Sequence, residues 1–192
     1  IGSLLRPEGV KKARRDYLEG RIGRGRLVEA EDRAILDALD RQRHIGLDVY
    51  TDGEFRRSSF QNDLAESIEG YVESEKPSVV RIWRGPGGDP QEQGTNLVVG
   101  GKLKQARRLT DAQTAFLKQN APGPIKMTVP SPNQFPAISF QPGVTDQFYA
   151  TRSDLLWEIV NIIKAEISNL AQEGVPYIQI DAPRYSYFVD DT

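Results

Sequence analysis

Two carboxylates flank one glycine at Asp52-Gly53-Glu54, directly after the strand-like run Leu47-Asp48-Val49-Tyr50-Thr51. A third, Asp181, ends the alternating run Tyr177-Ile178-Gln179-Ile180, and a small polar pair, Gly2-Ser3, follows Ile1. In an α/β chain the carboxyl ends of the strands share one face, and the loops there build the active site. A carboxylate in such a place can hold a substrate ammonium group or serve as an acid or base. Gly2 permits close backbone approach to a ligand, and the Ser3 hydroxyl donates or accepts a hydrogen bond. Phe55-Arg56-Arg57 adds two cations beside the acidic turn, able to engage a carboxylate or a phosphate.

Each of these residues also has a plain structural use. Asp-Gly is a common turn pair, an aspartate after a strand caps the next helix, and exposed arginines form surface ion pairs. His44 is the sole histidine. It falls in the last turn of an expected helix, where a partly charged imidazole favours the dipole. Trp83 and Trp157 read as packing residues rather than ligand platforms.

The elements that must position these groups follow from periodicity. Pro7-Glu8 opens a helix running to Glu19, because proline suits the first turn and an acid favours the dipole there. A second helix spans Val28 to Ile45, with Val28, Ile35 and Leu39 at apolar spacing and Glu31, Asp32 and Arg33 among the polar positions. Leu47–Thr51 reads as a strand. Val79–Trp83 and Leu97–Val99 are strand-like and flank Gly85-Pro86-Gly87-Gly88-Asp89-Pro90, an expected exposed hairpin or excursion. Thr110-Asp111-Ala112-Gln113 has the pattern of a capping box opening a helix to Gln119. Ile125–Val129 is the next strand. A long helix from Ser153 to Glu173 carries Leu156, Ile159, Ile163, Ile167 and Leu170, and the strand Tyr177–Ile180 delivers Asp181. Helices and strands alternate, which predicts a parallel α/β sheet. A further strand just before Ile1 is expected, giving about four strand–helix steps. A complete TIM-type (β/α)8 barrel takes ~250 residues. The expectation is therefore roughly the first half of such a barrel, as a single domain over 1–192 with an antiparallel hairpin insertion at about 76–104.

The 192 residues carry 25 Lys plus Arg against 27 Asp plus Glu, a net charge of -2 that argues against nucleic acid as an obligatory partner. Zero cysteines rule out disulfides and thiolate metal sites within the chain and fit a reducing, cytoplasmic setting. No apolar run approaches the roughly 18 residues that would span a membrane.

Taken together, these segments resemble the cobalamin-independent methionine synthase family. The markers are Ile1-Gly2-Ser3-Leu4-Leu5-Arg6-Pro7, the stretch from Gln42 through Gly46-Leu47-Asp48-Val49-Tyr50-Thr51-Asp52-Gly53-Glu54-Phe55-Arg56-Arg57, Val129-Pro130-Ser131-Pro132, and Gly174 through Pro183. The likeness is to the N-terminal half of the C-terminal catalytic barrel, and more to the shorter, single-barrel members than to the two-barrel synthase. It implies a TIM-type methyltransferase that moves a methyl group to a thiol held as thiolate on zinc. In the synthase itself the donor is methyltetrahydrofolate and the acceptor homocysteine. By motif, Ile1, Gly2 and Ser3 would contact the amino-acid substrate and Glu54 and Asp181 would hold its ammonium group, with Arg56 and Arg57 as weaker candidates. The family's zinc ligands, His, Cys, Glu and Cys, come from the later half of the barrel, so no metal ligand is expected in this chain. Where the synthase reads Glu-Pro after the aspartate, this chain has Ala182-Pro183, which leaves other alkyl donors or other thiols, such as coenzyme M, open. The expected partners are a small-molecule thiol and the remaining half of the barrel or a second chain, with a homo-oligomer also open. Two other readings stand beside this one. One is a metal-free, decarboxylase-like barrel of the same superfamily, in which Arg56 and Arg57 grip substrate carboxylates. The other is a non-catalytic half-barrel that binds a partner through an exposed sheet edge.

Overall fold

In a computed structural model, residues 2–57, 62–75, 79–84 and 90–183 are described. The first two helices lie near where periodicity placed them. Helix α1 covers Glu8–Leu18, with Pro7 as its N-cap, and α2 covers Arg24–His44. The face of α2 that packs inward is set by Leu27, Ile35, Ala38 and Leu39, one residue out of step with the Val28 expected there. Glu31 is not a solvated position: it is wholly buried and receives a hydrogen bond from Arg14 on α1 at 2.9 Å.

The chain forms two compact units, one of Ile1–Asp63, Leu109–Val129 and Ile167–Ile180, the other of Leu64–Arg108, Pro130–Glu166 and Asp181–Thr192. In the first unit, Leu47–Thr51 makes less sheet than its sequence suggests. It contributes one parallel bridge, Tyr50 to Ile125, in which Tyr50 N–H donates to Pro124 O at 2.8 Å and Lys126 N–H donates to Tyr50 O at 2.9 Å. The ladder goes no further because the chain turns at Gly53 and Glu54, and the backbone of Thr51, which faces the opposite edge, is taken by a side chain. Thr51 N–H donates to Gln42 Oε1 at 3.0 Å, and Gln42 Nε2 donates to Thr51 O at 2.9 Å. Helix α4, Asp111–Asn120, leads to a strand, Lys126–Pro130, that pairs with Tyr177–Asp181. The capping box expected at Thr110 does not form. Thr110 makes no side-chain cap, and Gln113 turns inward to Arg57.

The second unit holds a short helix, α3 (Asn62–Ser67), and four strands, β1 (Ile68–Glu73), β2 (Val79–Arg84), β3 (Pro90–Thr95) and β4 (Leu97–Gln105). The two remaining strands, β5 (Lys126–Pro130) and β6 (Tyr177–Asp181), lie in the first unit except for their last residues, Pro130 and Asp181. The pairing differs from the expected flanking of one connection. β2 pairs antiparallel with β3, Val79 opposite Thr95 and Arg84 opposite Pro90, while β4 pairs antiparallel with β1. Neither β1 nor β3 has the apolar alternation of a half-buried strand, so both escaped the sequence reading; residues 85–89 lie outside the described residues. A bulge interrupts β1 at Gly70 (φ 105), where a Cβ would stand 2.7 Å from Lys102 O, so only glycine fits without the strands moving apart. Helix α5 (Phe135–Ser139) and the long helix α6 (Arg152–Gln172) follow. On α6 the buried positions are Leu155, Ile159, Ile163, Glu166 and Leu170, whereas Leu156 and Ile167 are only half-buried. Glu166 is wholly buried and accepts a hydrogen bond from Arg108 at 2.9 Å. No helix among the described residues is long and apolar enough to cross a membrane.

Candidate functional site

The acidic turn after Tyr50 holds two consecutive residues in left-handed backbone. Gly53 and Glu54 both adopt left-handed φ, 65° and 59°. Glycine takes that region freely; glutamate does so at a cost of about 1 kcal/mol and only where its surroundings over-determine it. Four contacts do so. Glu54 N–H donates to Asp52 Oδ1 at 2.9 Å and Gly53 N–H to Thr51 Oγ1 at 3.1 Å. Leu4 N–H donates to Gly53 O at 3.1 Å, and Arg6 reaches Glu54 O at 3.3 Å. Thr51 Oγ1 in turn donates to Gly2 O at 3.1 Å, so the N-terminal segment and the turn are tied together.

Held this way, Glu54 is 3 % exposed. Thr128 Oγ1 on β5 donates to its Oε1 at 2.8 Å, and Arg57 lies 3.7 Å from the same oxygen. Arg57, 2 % exposed, donates to Thr128 Oγ1 at 3.1 Å, to Thr128 O at 2.9 Å and to Gln113 Oε1 at 3.0 Å. One carboxylate, one guanidinium and a hydroxyl between them thus form a buried, hydrogen-bonded set. Gly2 closes the cluster, because a Cβ at that residue would meet Thr128 Cγ2 at 2.5 Å and Glu54 Oε1 at 2.8 Å. A second layer supports the turn from α1 and α2: Arg14 donates both to Glu31 and to Phe55 O, each at 2.9 Å. Burial is the dominant influence on Glu31 and raises its pKa, against the lowering effect of Arg14, Arg24 and Arg56.

The residues singled out in the sequence are distributed unevenly. Glu54, Gly2 and Arg57 come together in the first unit, and Arg57 is not a surface ion pair. Arg56 pairs with Asp32, lies 3.8 Å from Glu31 and stacks 4.8 Å from the Phe116 ring. Ser3 is exposed, and Ile1 lies outside the described residues. Asp181 belongs to the second unit. It ends β6, half-buried, its carbonyl accepting from Ser131 N–H at 2.8 Å and from Gln134 Nε2 at 2.9 Å. His44 sits in the last turn of α2, exposed, with Nδ1 2.8 Å from Asp40 O. Trp157 is 63 % exposed on α6, against the expectation that it packs, and nothing is described of the Trp83 side chain. Thr128 and Gln113 carry parts of the cluster that the motifs did not assign to it, while Asp52, one of the two acids of the turn, fixes the Glu54 backbone. The available signal for Thr128 was a lone hydroxyl in the all-buried strand Lys126-Met127-Thr128-Val129-Pro130.

A cleft of about 1060 Å³ in the first unit runs along Ala38, Gln42, Val49, Phe55 and Tyr177, but neither Asp52 nor Glu54 lines it. The donors in this chain do not fit a zinc site. The sequence has no cysteine and one histidine, and among the described residues no three His, Asp or Glu side chains converge.

The fold and the cluster define an α/β chain with a buried carboxylate held on a turn of left-handed backbone after the Tyr50–Ile125 bridge. A known family description, the cobalamin-independent synthase catalytic domain, matches residues 1–189. The chain belongs to that family. It is 30 % identical over 192 residues to YxjH of Bacillus subtilis, an uncharacterized protein, covering all of this chain and 49 % of that one. It is 28 % identical over 188 residues to the methionine synthase of Sulfolobus acidocaldarius, covering 95 % of this chain and 50 % of that one. A crystal structure from Listeria monocytogenes, a candidate vitamin-B12-independent methionine synthase, aligns with a TM-score of 0.72 at 25 % identity over all of this chain and 53 % of that one. The B12-independent methionine synthase of Shewanella sp. W3-18-1, solved with selenomethionine, shares the fold with a TM-score of 0.67 at 24 % identity, over 88 % of this chain and 46 % of that one. The chain spans about half the length of the curated relatives it matches.

Proposed function

We propose that this chain carries the amino-acid-binding side of a methyltransferase that moves a methyl or related alkyl group to a thiol such as homocysteine. The observation that carries the reading is Glu54: a buried carboxylate on a left-handed backbone, set by Thr128 and Arg57 and walled by Gly2. Backbone strain of this kind clusters at ligand clamps. In the reading, Glu54 and Asp181 receive the ammonium group of the substrate, and Ile1, Gly2 and Ser3 follow its backbone atoms. Arg57 tunes Glu54 rather than gripping the substrate itself. Zinc, if the complete protein uses it, makes the thiol a thiolate near neutral pH, and its ligands come from outside this chain. Methyltetrahydrofolate is one candidate donor. The remainder of the barrel, from the same protein or a second chain, completes the site, with self-association as an alternative, and a reducing cytoplasm is the proposed location.

The metal-free decarboxylase reading is less well supported, because both cations it needs are engaged: Arg56 by Asp32, Arg57 by Gln113 and Thr128. Calorimetric titration of the complete protein with homocysteine, followed by mass spectrometry for methionine with methyltetrahydrofolate as donor, tests the proposal. Binding of the amino-acid thiol and formation of its methyl thioether are expected; no binding of any amino-acid thiol would sink it.

A further inference from the structure

We infer that Asp52 is a further anionic contact for the ligand's ammonium group, beside Glu54 and Asp181, offered through Oδ2, and so a specificity residue of the same site; this rests on the amino-acid reading above. Asp52 is 5 % exposed. Its two oxygens have different fates. Oδ1 accepts Glu54 N–H at 2.9 Å and thereby fixes the carboxylate against the turn. Oδ2 is buried and has no hydrogen-bond donor. An anionic oxygen withdrawn from water without a donor is costly, and such an atom in a native fold calls for an explanation.

Charge compensation sharpens the point. Glu54 faces a cation, with Arg57 at 3.7 Å, and a hydroxyl donor, with Thr128 at 2.8 Å. Among the described residues no Lys, Arg or His nitrogen lies within 4.0 Å of Asp52. The negative charge of Glu54 is thus largely answered inside the protein, while that of Asp52, two residues away, is not. A ligand ammonium carries three N–H donors and one positive charge. It supplies both things Asp52 lacks. A metal cation is a poorer match, since two carboxylates alone do not make a site and no third ligand converges among the described residues.

The test uses the complete protein and two thiols, homocysteine and 4-mercaptobutanoate, which keeps the thiol and carboxylate but lacks the amine. Asp52→Asn preserves an oxygen for Glu54 N–H and removes the charge at Oδ2. Asp52→Ser does the same with a hydroxyl, in case the amide disturbs the fold. Wild type should bind homocysteine well above the desamino thiol. Both variants should raise the homocysteine Kd roughly tenfold or more while leaving that of 4-mercaptobutanoate within about twofold. Equal weakening of both thiols, or no change in either, overturns the role of Asp52. Wild type that binds neither thiol, or does not discriminate between them, overturns the amino-acid reading itself.

Discussion

Gly2 and Thr128 approach so closely that a methyl group on the first would stand 2.5 Å from Cγ2 of the second and 2.8 Å from Glu54 Oε1. The absence of a side chain at residue 2 is therefore a packing requirement of the carboxylate. Gly2→Ala should push Thr128 or Glu54 out of place, lowering stability by about 1–3 kcal/mol. A drop in melting temperature accompanied by weaker homocysteine binding is expected; an unchanged melt and unchanged affinity would show that the segment before Leu4 packs elsewhere.

Glu54→Gln separates charge from shape. The amide keeps an oxygen for Thr128 and the same backbone, but leaves buried Arg57 without its counter-charge. Affinity for the amino-acid thiol should fall at least tenfold, or ~1.4 kcal/mol, and stability by about 1–3 kcal/mol. Calorimetry beside a thermal melt reads both, and full retention of affinity would remove Glu54 from the ammonium site.

Arg57 donates to three acceptors on two elements, α4 and β5. A lysine cannot reproduce that fork, so Arg57→Lys should destabilise by about 3 kcal/mol, the scale of a broken buried pair. Gln113→Ala removes one acceptor and should cost less. If Arg57→Lys melts like wild type, the guanidinium geometry is not what holds the turn.

Burial raises the Glu31 pKa above its ordinary 4.5. The folded state then holds a proton at pH values where the unfolded chain has lost it, so this group's stabilising contribution is complete below 4.5 and is lost as pH rises through the raised value. Glu31→Gln should flatten that part of the pH–stability profile. Denaturant melts of both proteins from about pH 4 to 7 read the difference, and parallel profiles would contradict the buried, proton-holding state of Glu31.

The strand-end acids were legible because two features coincide in sequence: an apolar run that stops and an Asp-Gly pair that turns. The helices were legible too, since α2 and α6 carry long apolar periodicity. What escaped depended on contacts distant in sequence. Thr128 matters because it lies across from Glu54, 74 residues away, and Gln113 because Arg57 claims its amide 56 residues off, against the local capping pattern. β1 and β3 exist through pairing with β4 and β2, not through their own composition, so no periodicity marked them. Glu31 looked like a solvated helix position because nothing in its neighbourhood announces the arginine 17 residues earlier.

Gln42 gives Thr51 both hydrogen bonds that a neighbouring strand would otherwise give, at 2.9 and 3.0 Å. An unpaired backbone edge invites stray strands and aggregation. Here any intruding peptide must first evict a buried amide from a helix, so mispairing beside the acidic turn is barred by a single side chain. The glutamine acts as a doorstop for the sheet, guarding the stretch of backbone whose distortion the carboxylates depend on.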